Sequence, residues 1–253
     1  MTPIGWLPDV LAGEGLVVTA HDGWEDRGRP RPYRPTGVIV HHTGPGSDSM
    51  LIDMCINGRE GLAGPLCNAV VDSAGGWHVI AGGTANHAGV GRLPWSNSID
   101  GNAGSIGIEA VNSGDGAAWP AVQVDSLLSG ISAILAHQSW PVGRVTTHAD
   151  YAEPAGRKND PAGRTWFSPS PGTWPVGSLR AALWTIEDVD MPTGHEIVAQ
   201  LEQINATLAD MNNRLLHWFG LAGEGWVEVN AKQHAELSAK LDRLIQQTAP
   251  PKP

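Results

Sequence analysis

Two imidazoles stand side by side at the end of a β-branched run, Gly37-Val38-Ile39-Val40-His41-His42-Thr43-Gly44. A second apolar run, Ser105-Ile106-Gly107-Ile108, ends in Glu109, and a third, Val145-Thr146-Thr147, ends in His148. Lys158-Asn159-Asp160 follows in the loop beyond. Two histidines and a carboxylate suffice to hold a zinc ion and leave a fourth position for water or substrate. Zinc would supply Lewis acidity toward water and a carbonyl, which suits hydrolysis of an amide or ester. A carboxylate outside the ligand set would accept and return the proton, and a nearby lysine would stabilise a developing oxyanion. Successive strand side chains point to opposite faces, so only one of His41 and His42 can serve the site. Spacing alone does not choose between them, and no compact HExxH stretch fixes the ligands.

The elements that must position these residues are short. Turn residues bracket Val38 to Val40 as they bracket a buried strand, with Pro35 and Gly37 before and Gly44-Pro45-Gly46 after. Leu16 to Thr19 reads as a strand within an otherwise irregular first 36 residues, and Met50 to Ile56 as a short helix capped by Ser47-Asp48-Ser49. Leu66 to Val71 and Trp77 to Ile80 read as strands joined by a hairpin-type turn, Asp72 to Gly76. A Gly-, Asn- and Ser-rich loop from Ala81 to Ala103 is long enough to suggest the lining of a groove. Val124, Leu127, Leu128, Ile131, Ile134 and Leu135 recur at helical spacing within Pro120 to Gln138. Ala149 to Pro175 reads as loop, and Leu179 to Ile186 as a closing helix.

The character changes near Asp190-Met191-Pro192. Ile197, Leu201, Ile204, Leu208, Met211, Leu215 and Trp218 then alternate spacings of four and three, an a/d seam that leans toward more than two strands. A second amphipathic stretch carries Leu237, Leu241, Leu244 and Ile245. We therefore expect a domain over 1–188, a linker over 189–194 and a helical region over 195–253. The last is either an oligomerising coiled coil through 197–218 or a helical hairpin.

A chain of 253 residues can bury a sizeable core. Its formal net charge of −10 includes no basic block for phosphates, which argues against a nucleic-acid partner. No signal-type leader is evident, and no apolar run approaches ~18 residues, so no membrane insertion is expected. The expectation is a soluble protein made in the cytoplasm. Cys55 and Cys67 do not make a disulfide scaffold and are expected to be packed, reduced thiols.

Val-Ile-Val-His-His-Thr, Ser-Ile-Gly-Ile-Glu, and His148 followed by Gly156-Arg157-Lys158-Asn159-Asp160-Pro161 resemble, in order, the signature segments of the zinc-dependent N-acetylmuramoyl-L-alanine amidases. These belong to the amidase-2 and peptidoglycan-recognition-protein superfamily. The resemblance covers roughly residues 15–185 and implies an α/β fold, a mixed central β-sheet flanked by helices. It implies Zn²⁺ held by His41, His148 and Asp160, with Glu109 as acid/base and Lys158 beside the scissile carbonyl. Asn86-His87-Ala88-Gly89 is similar to the family's Trp-His-Ala-Gly segment, which makes His87 a candidate substrate contact. Cys67 stands where many members carry a site tyrosine, so activity is expected to rest on Glu109. His21, His78 and His137 match nothing and are read as surface or packing residues.

The implied substrate is peptidoglycan, cleaved between N-acetylmuramic acid and L-alanine. The absent leader and the Arg-Pro-rich approach to the first strand, similar to lysins of actinobacterial phages, suggest an endolysin made in the host cytoplasm and acting on the wall after release. The alternatives are a cytoplasmic muropeptide-recycling amidase and a non-catalytic peptidoglycan-binding module.

Overall fold

The computed structural model describes residues 3–96 and 98–187. The expected linker, the heptad seam and the rest of the C-terminal helical region lie outside the described residues. In chain order the elements are α1 (Leu7–Gly13), β1 (Val18–Ala20), β2 (Val38–His42), α2 (Asp48–Asn57), β3 (Gly58–Arg59), β4 (Leu62–Ala63), β5 (Ala69–Val71) and β6 (Trp77–Val79). There follow α3 (Gly101–Gly104), β7 (Ile106–Ala110), α4 (Ala121–Gln138), a 3₁₀ turn (Val142–Arg144), β8 (Val145–Thr147), α5 (His148–Tyr151) and α6 (Val176–Glu187).

Six strands form one mixed sheet in the order β1-β6-β5-β7-β2-β8. Only β5 and β6, joined by the Asp72–Gly76 turn, run antiparallel; the other four pairings are parallel. Helices flank the sheet, so the α/β architecture implied by the resemblance is the one found. No helix among the described residues is long and apolar enough to cross a membrane.

The two-residue period of the strands sorts side chains cleanly. Val38, Val40, Ala69, Val71, Trp77, Val79, Ile106, Ile108, Ala110 and Val145 share one core with Leu7 and Leu11 of α1, the apolar stripe of α4, and Leu179 and Leu183 of α6. The alternate residues face the other way. Val70 packs against Leu51, Ile52 and Cys55 of α2, and Ile39 packs against Ala88, Leu93 and Tyr151. His41 and Glu109 belong to this second face, in direct register with each other.

α4 carries a glycine in its middle for a packing reason. A Cβ at Gly130 would lie 2.2 Å from Cζ2 of the fully buried Trp77. Gly130→Ala gains about 1 kcal/mol of helix propensity but overpacks the core at a cost of about 1–3 kcal/mol. The expected result is a net loss of stability, read as a lower urea midpoint with unchanged slope.

Residues 3–36 hold more regular structure than their sequence suggests. α1 has only seven residues, between Gly5 and Gly15, with Pro8 in its first turn where a missing N–H costs nothing. Only Leu7 and Leu11 are buried from it, too few to show a period. His148 to Tyr151, which read as strand end and loop, is a helical turn capped by Thr147, whose side chain accepts from the Asp150 N–H.

Candidate metal centre and active site

Near the end of β2 stands His41, which is buried, while the pleat turns the last residue, His42, to the opposite face. His42 is used there: its Nδ1 accepts from the Ala162 N–H at 3.1 Å, fixing the loop that carries Asp160. His148 opens α5 directly after β8, next to β2 in the sheet. The Ala149 N–H donates to the Asp160 carbonyl at 2.9 Å, which brings the loop back beneath His148.

His41, His148 and Asp160 converge. The His41 and His148 Nδ1 atoms are 2.9 Å apart, and Asp160 Oδ2 lies 3.2 Å from the first and 2.8 Å from the second. Ligand atoms around a tetrahedral zinc stand about 3.3 Å apart, given bonds of about 2.0–2.1 Å. The cluster is therefore within a few tenths of an ångström of the required size. Its hydrogen-bond chemistry agrees. His148 Nε2 lies 2.9 Å from the Ala88 carbonyl oxygen, which can only accept, so Nε2 carries the hydrogen. In the neutral ring, Nδ1 then turns a lone pair toward a carboxylate and a second ring nitrogen. Three electron-rich atoms facing one another below the surface fit a cation.

Glu109 is half-buried in the neighbouring strand, and its Oε2 has no hydrogen-bond partner among the described residues. Burial pushes its carboxyl well above the usual range, with Cys55 and Asp160 adding to the rise and Lys158 opposing it. Lys158 is exposed, and its charge is felt at His41, His42 and Glu109. Cys55 and Cys67 are buried free thiols in the core beneath α2. Cys67 stands near Glu109; burial first, then Cys55, raises its thiol well above the ordinary value.

The Amidase_2 family, N-acetylmuramoyl-L-alanine amidase, matches residues 31–163. The chain belongs to that family. It is an amidase whose metal site is His41, His148 and Asp160, a set of the zinc type. No curated protein matches it. Among solved structures it is similar to the amidase LysC from Clostridium intestinale, at 14% identity over 66% of this chain and 96% of that one, with a TM-score of 0.45. It is also similar to AmiD from E. coli in complex with an anhydro-N-acetylmuramic acid peptide substrate. That likeness has 20% identity over 54% of this chain and 56% of the other, with a TM-score of 0.43.

In the amidase, His87 is enclosed beside the triad. It is 7% exposed, and its Nδ1 lies 3.0 Å from Nε2 of His41. Its ring rests on β7 at Gly107, where a Cβ would come within 2.5 Å of His87 Cγ. The glycine in Ser-Ile-Gly-Ile-Glu makes room for an imidazole. His21, His78 and His137 lie elsewhere. His21 Nε2 meets His78 Nδ1 at 3.1 Å, His78 Nε2 meets Asp72 at 3.1 Å, and His137 stacks on Trp6.

The sequence reading gave no role to three residues around the centre. Asn102 Oδ1 accepts from the N–H groups of both His87 and Ala88. The Tyr151 hydroxyl accepts from the Gly101 N–H and meets the Gly89 carbonyl, each at 3.0 Å. Arg157 Nη2 donates to the Val90 carbonyl. Together they tie the long Ala81–Ala103 loop to α5 and the Asp160 loop. The only available signal was the length of that loop.

The cluster makes the metal-free amidase pH-sensitive. Burial, then the charge of His148, lowers His41 to about 4, and burial, then His41, lowers His87 well below the histidine range. Below about pH 6.5 the unfolded chain binds protons that the native state refuses, so stability falls with pH across this window. One group with the shift of His41 contributes roughly 3 kcal/mol between about pH 6.5 and 4. Glu109 has the opposite sign, because its raised carboxyl holds a proton above about pH 4.5 that the unfolded chain has lost. It offsets one of the two histidines. In chelator, urea midpoints should fall from pH 6.5 to 4.5, and more steeply in Glu109→Gln.

Proposed function

We propose that the chain is a cell-wall endolysin, cleaving the amide between the lactyl carbonyl of N-acetylmuramic acid and the L-alanine nitrogen in polymeric peptidoglycan. The observation that carries the chemistry is the register of β2 and β7. It sets Glu109 beside His41, on the face of the sheet that bears the metal triad. The endolysin role is supported by the family membership and by the long Ala81–Ala103 segment over that face. Residues 195–253 would then serve wall binding or assembly.

Zinc held by His41, His148 and Asp160 supplies Lewis acidity toward the scissile carbonyl and the attacking water. The chain's own groups do the rest. Glu109, as the carboxylate, accepts the proton of the water and, then protonated, returns it to the departing amine. Lys158 faces the carbonyl oxygen as negative charge develops there. His42 and the Ala149–Asp160 backbone bond keep the third ligand in place. Asp160 stays ionised: burial alone would push its carboxyl up, but the neighbouring His148 and His41 imidazoles outweigh that and hold it below the usual range.

Product analysis tests the reading. On purified walls the protein should free L-alanine amino groups without new sugar reducing ends, and a chelator should stop it. New reducing ends would refute the amidase chemistry. Turnover of small soluble muropeptides with intact walls untouched would replace the endolysin by a recycling enzyme.

A further inference from the structure

We propose that His87 is a positioning residue for the metal centre rather than a substrate contact. On this reading the Asn86–Gly89 segment, pinned by Asn102, sets the metal-ready tautomer of both histidine ligands. The inference rests on the triad holding zinc; it does not depend on the endolysin role.

The argument is one of hydrogen bookkeeping. A ring nitrogen that ligates a metal must present a lone pair, so the other nitrogen of a neutral imidazole must carry the hydrogen and needs an acceptor. For His148 that acceptor is the carbonyl of Ala88, 2.9 Å from Nε2. For His41 it is Nδ1 of His87, 3.0 Å from Nε2. The two acceptors are consecutive residues of one segment. One side chain clamps the backbone at both of them: Asn102 Oδ1 accepts from the His87 N–H at 3.0 Å and the Ala88 N–H at 2.7 Å.

His87 accepts at Nδ1 only if its own hydrogen sits on Nε2. That atom is buried and makes no hydrogen bond of good geometry among the described residues, although the Ser105 backbone exerts a hydrogen-bonding pull on the ring. An orphaned buried polar atom is rare and calls for an explanation. The opposite tautomer would relieve the orphan N–H. It would also put the His41 hydrogen on Nδ1, facing His148 and Asp160, and block the ligand position. The orphan is thus the cost of keeping His41 ready for a metal. A substrate contact, in contrast, would use a ring nitrogen that reaches the groove. One nitrogen of His87 is spent on His41 and the other is enclosed.

Outer partners of this kind are typically worth 10–100-fold in metal affinity. The test is zinc competition against a chromophoric chelator, with His87→Leu, His87→Asn and Asn102→Ala in the full chain. His87→Leu fills the space without an acceptor and should weaken zinc 10–100-fold. His87→Asn places an amide oxygen near the Nδ1 position and should restore most of that loss. Cobalt substituted for zinc should give a shifted visible spectrum in the leucine variant and a near-parental one in the asparagine variant. If the leucine variant does not fold, Asn102→Ala decides by the same titration, with an expected loss in the same direction. Parental zinc affinity in His87→Leu, with a raised KM alone, would overturn the inference and restore the substrate-contact role. Failure of the parent chain to bind zinc tightly would instead refute the metal centre itself.

Discussion

Glu109→Gln is expected to lower kcat by about 10²–10⁴-fold while zinc stays bound. The residue lies in the strand next to His41 and outside the ligand cluster, so its loss removes proton transfer without removing the metal site. The same variant should be more stable than its parent. Glu109 Oε2 is buried without a partner among the described residues, and burial is the main reason its carboxyl resists ionisation. Glutamine removes the cost of holding a proton that the unfolded chain gives up, so its stability advantage should grow as pH rises above the ordinary carboxylate range. A variant that loses turnover and gains stability is the signature of a strained catalytic group. Near-parental turnover would remove Glu109 from the mechanism, and a loss of zinc would make it a ligand.

His148→Ala should abolish the metal site. One of three protein ligands is lost, and the two left, His41 and Asp160, cannot close the cluster. Removing a ligand should exceed the 10–100-fold loss typical of its outer partners, so zinc should not survive dialysis and activity should fall to the level of the chelated parent. Metal content by elemental analysis reads this directly. Full occupancy would sink the ligand assignment. In the parent, protons compete with zinc for the His41 ring nitrogen, which burial lowers to about 4, so affinity should fall as pH drops toward that value.

Much of this centre was legible because each site residue ends or follows a short β-branched run. Val38–Val40 and Ile106–Ile108 bury both faces, and a polar residue after such a run has little role unless the strand end reaches a cleft. Register could not be read. That His41 stands opposite Glu109 follows from β2 pairing with β7, a choice made by the whole sheet. The role of His87 was hidden for a related reason. It comes from an irregular loop, its partner is 46 residues away, and its burial depends on the missing side chain at Gly107. Asn102 left no pattern at all, since a lone asparagine in a Gly-rich loop has the same signature whether it clamps a backbone or faces water. α1 was missed because two buried leucines cannot establish a period.

The parallel layout has a last consequence, for how the domain holds together. β8 is a three-residue strand at the sheet's edge, held by one neighbour, β2. Its next residue, His148, meets His41 across 107 positions of sequence. A zinc ion there is also a reversible cross-link, closing a loop of that length and riveting the end of this edge strand to β2. Because only the assembled sheet offers all three ligands, free zinc at about 100 times Kd would add about 2.7 kcal/mol to the folded state. Most of that protection should be felt where fraying would begin, as slower amide exchange along Val145–Thr147.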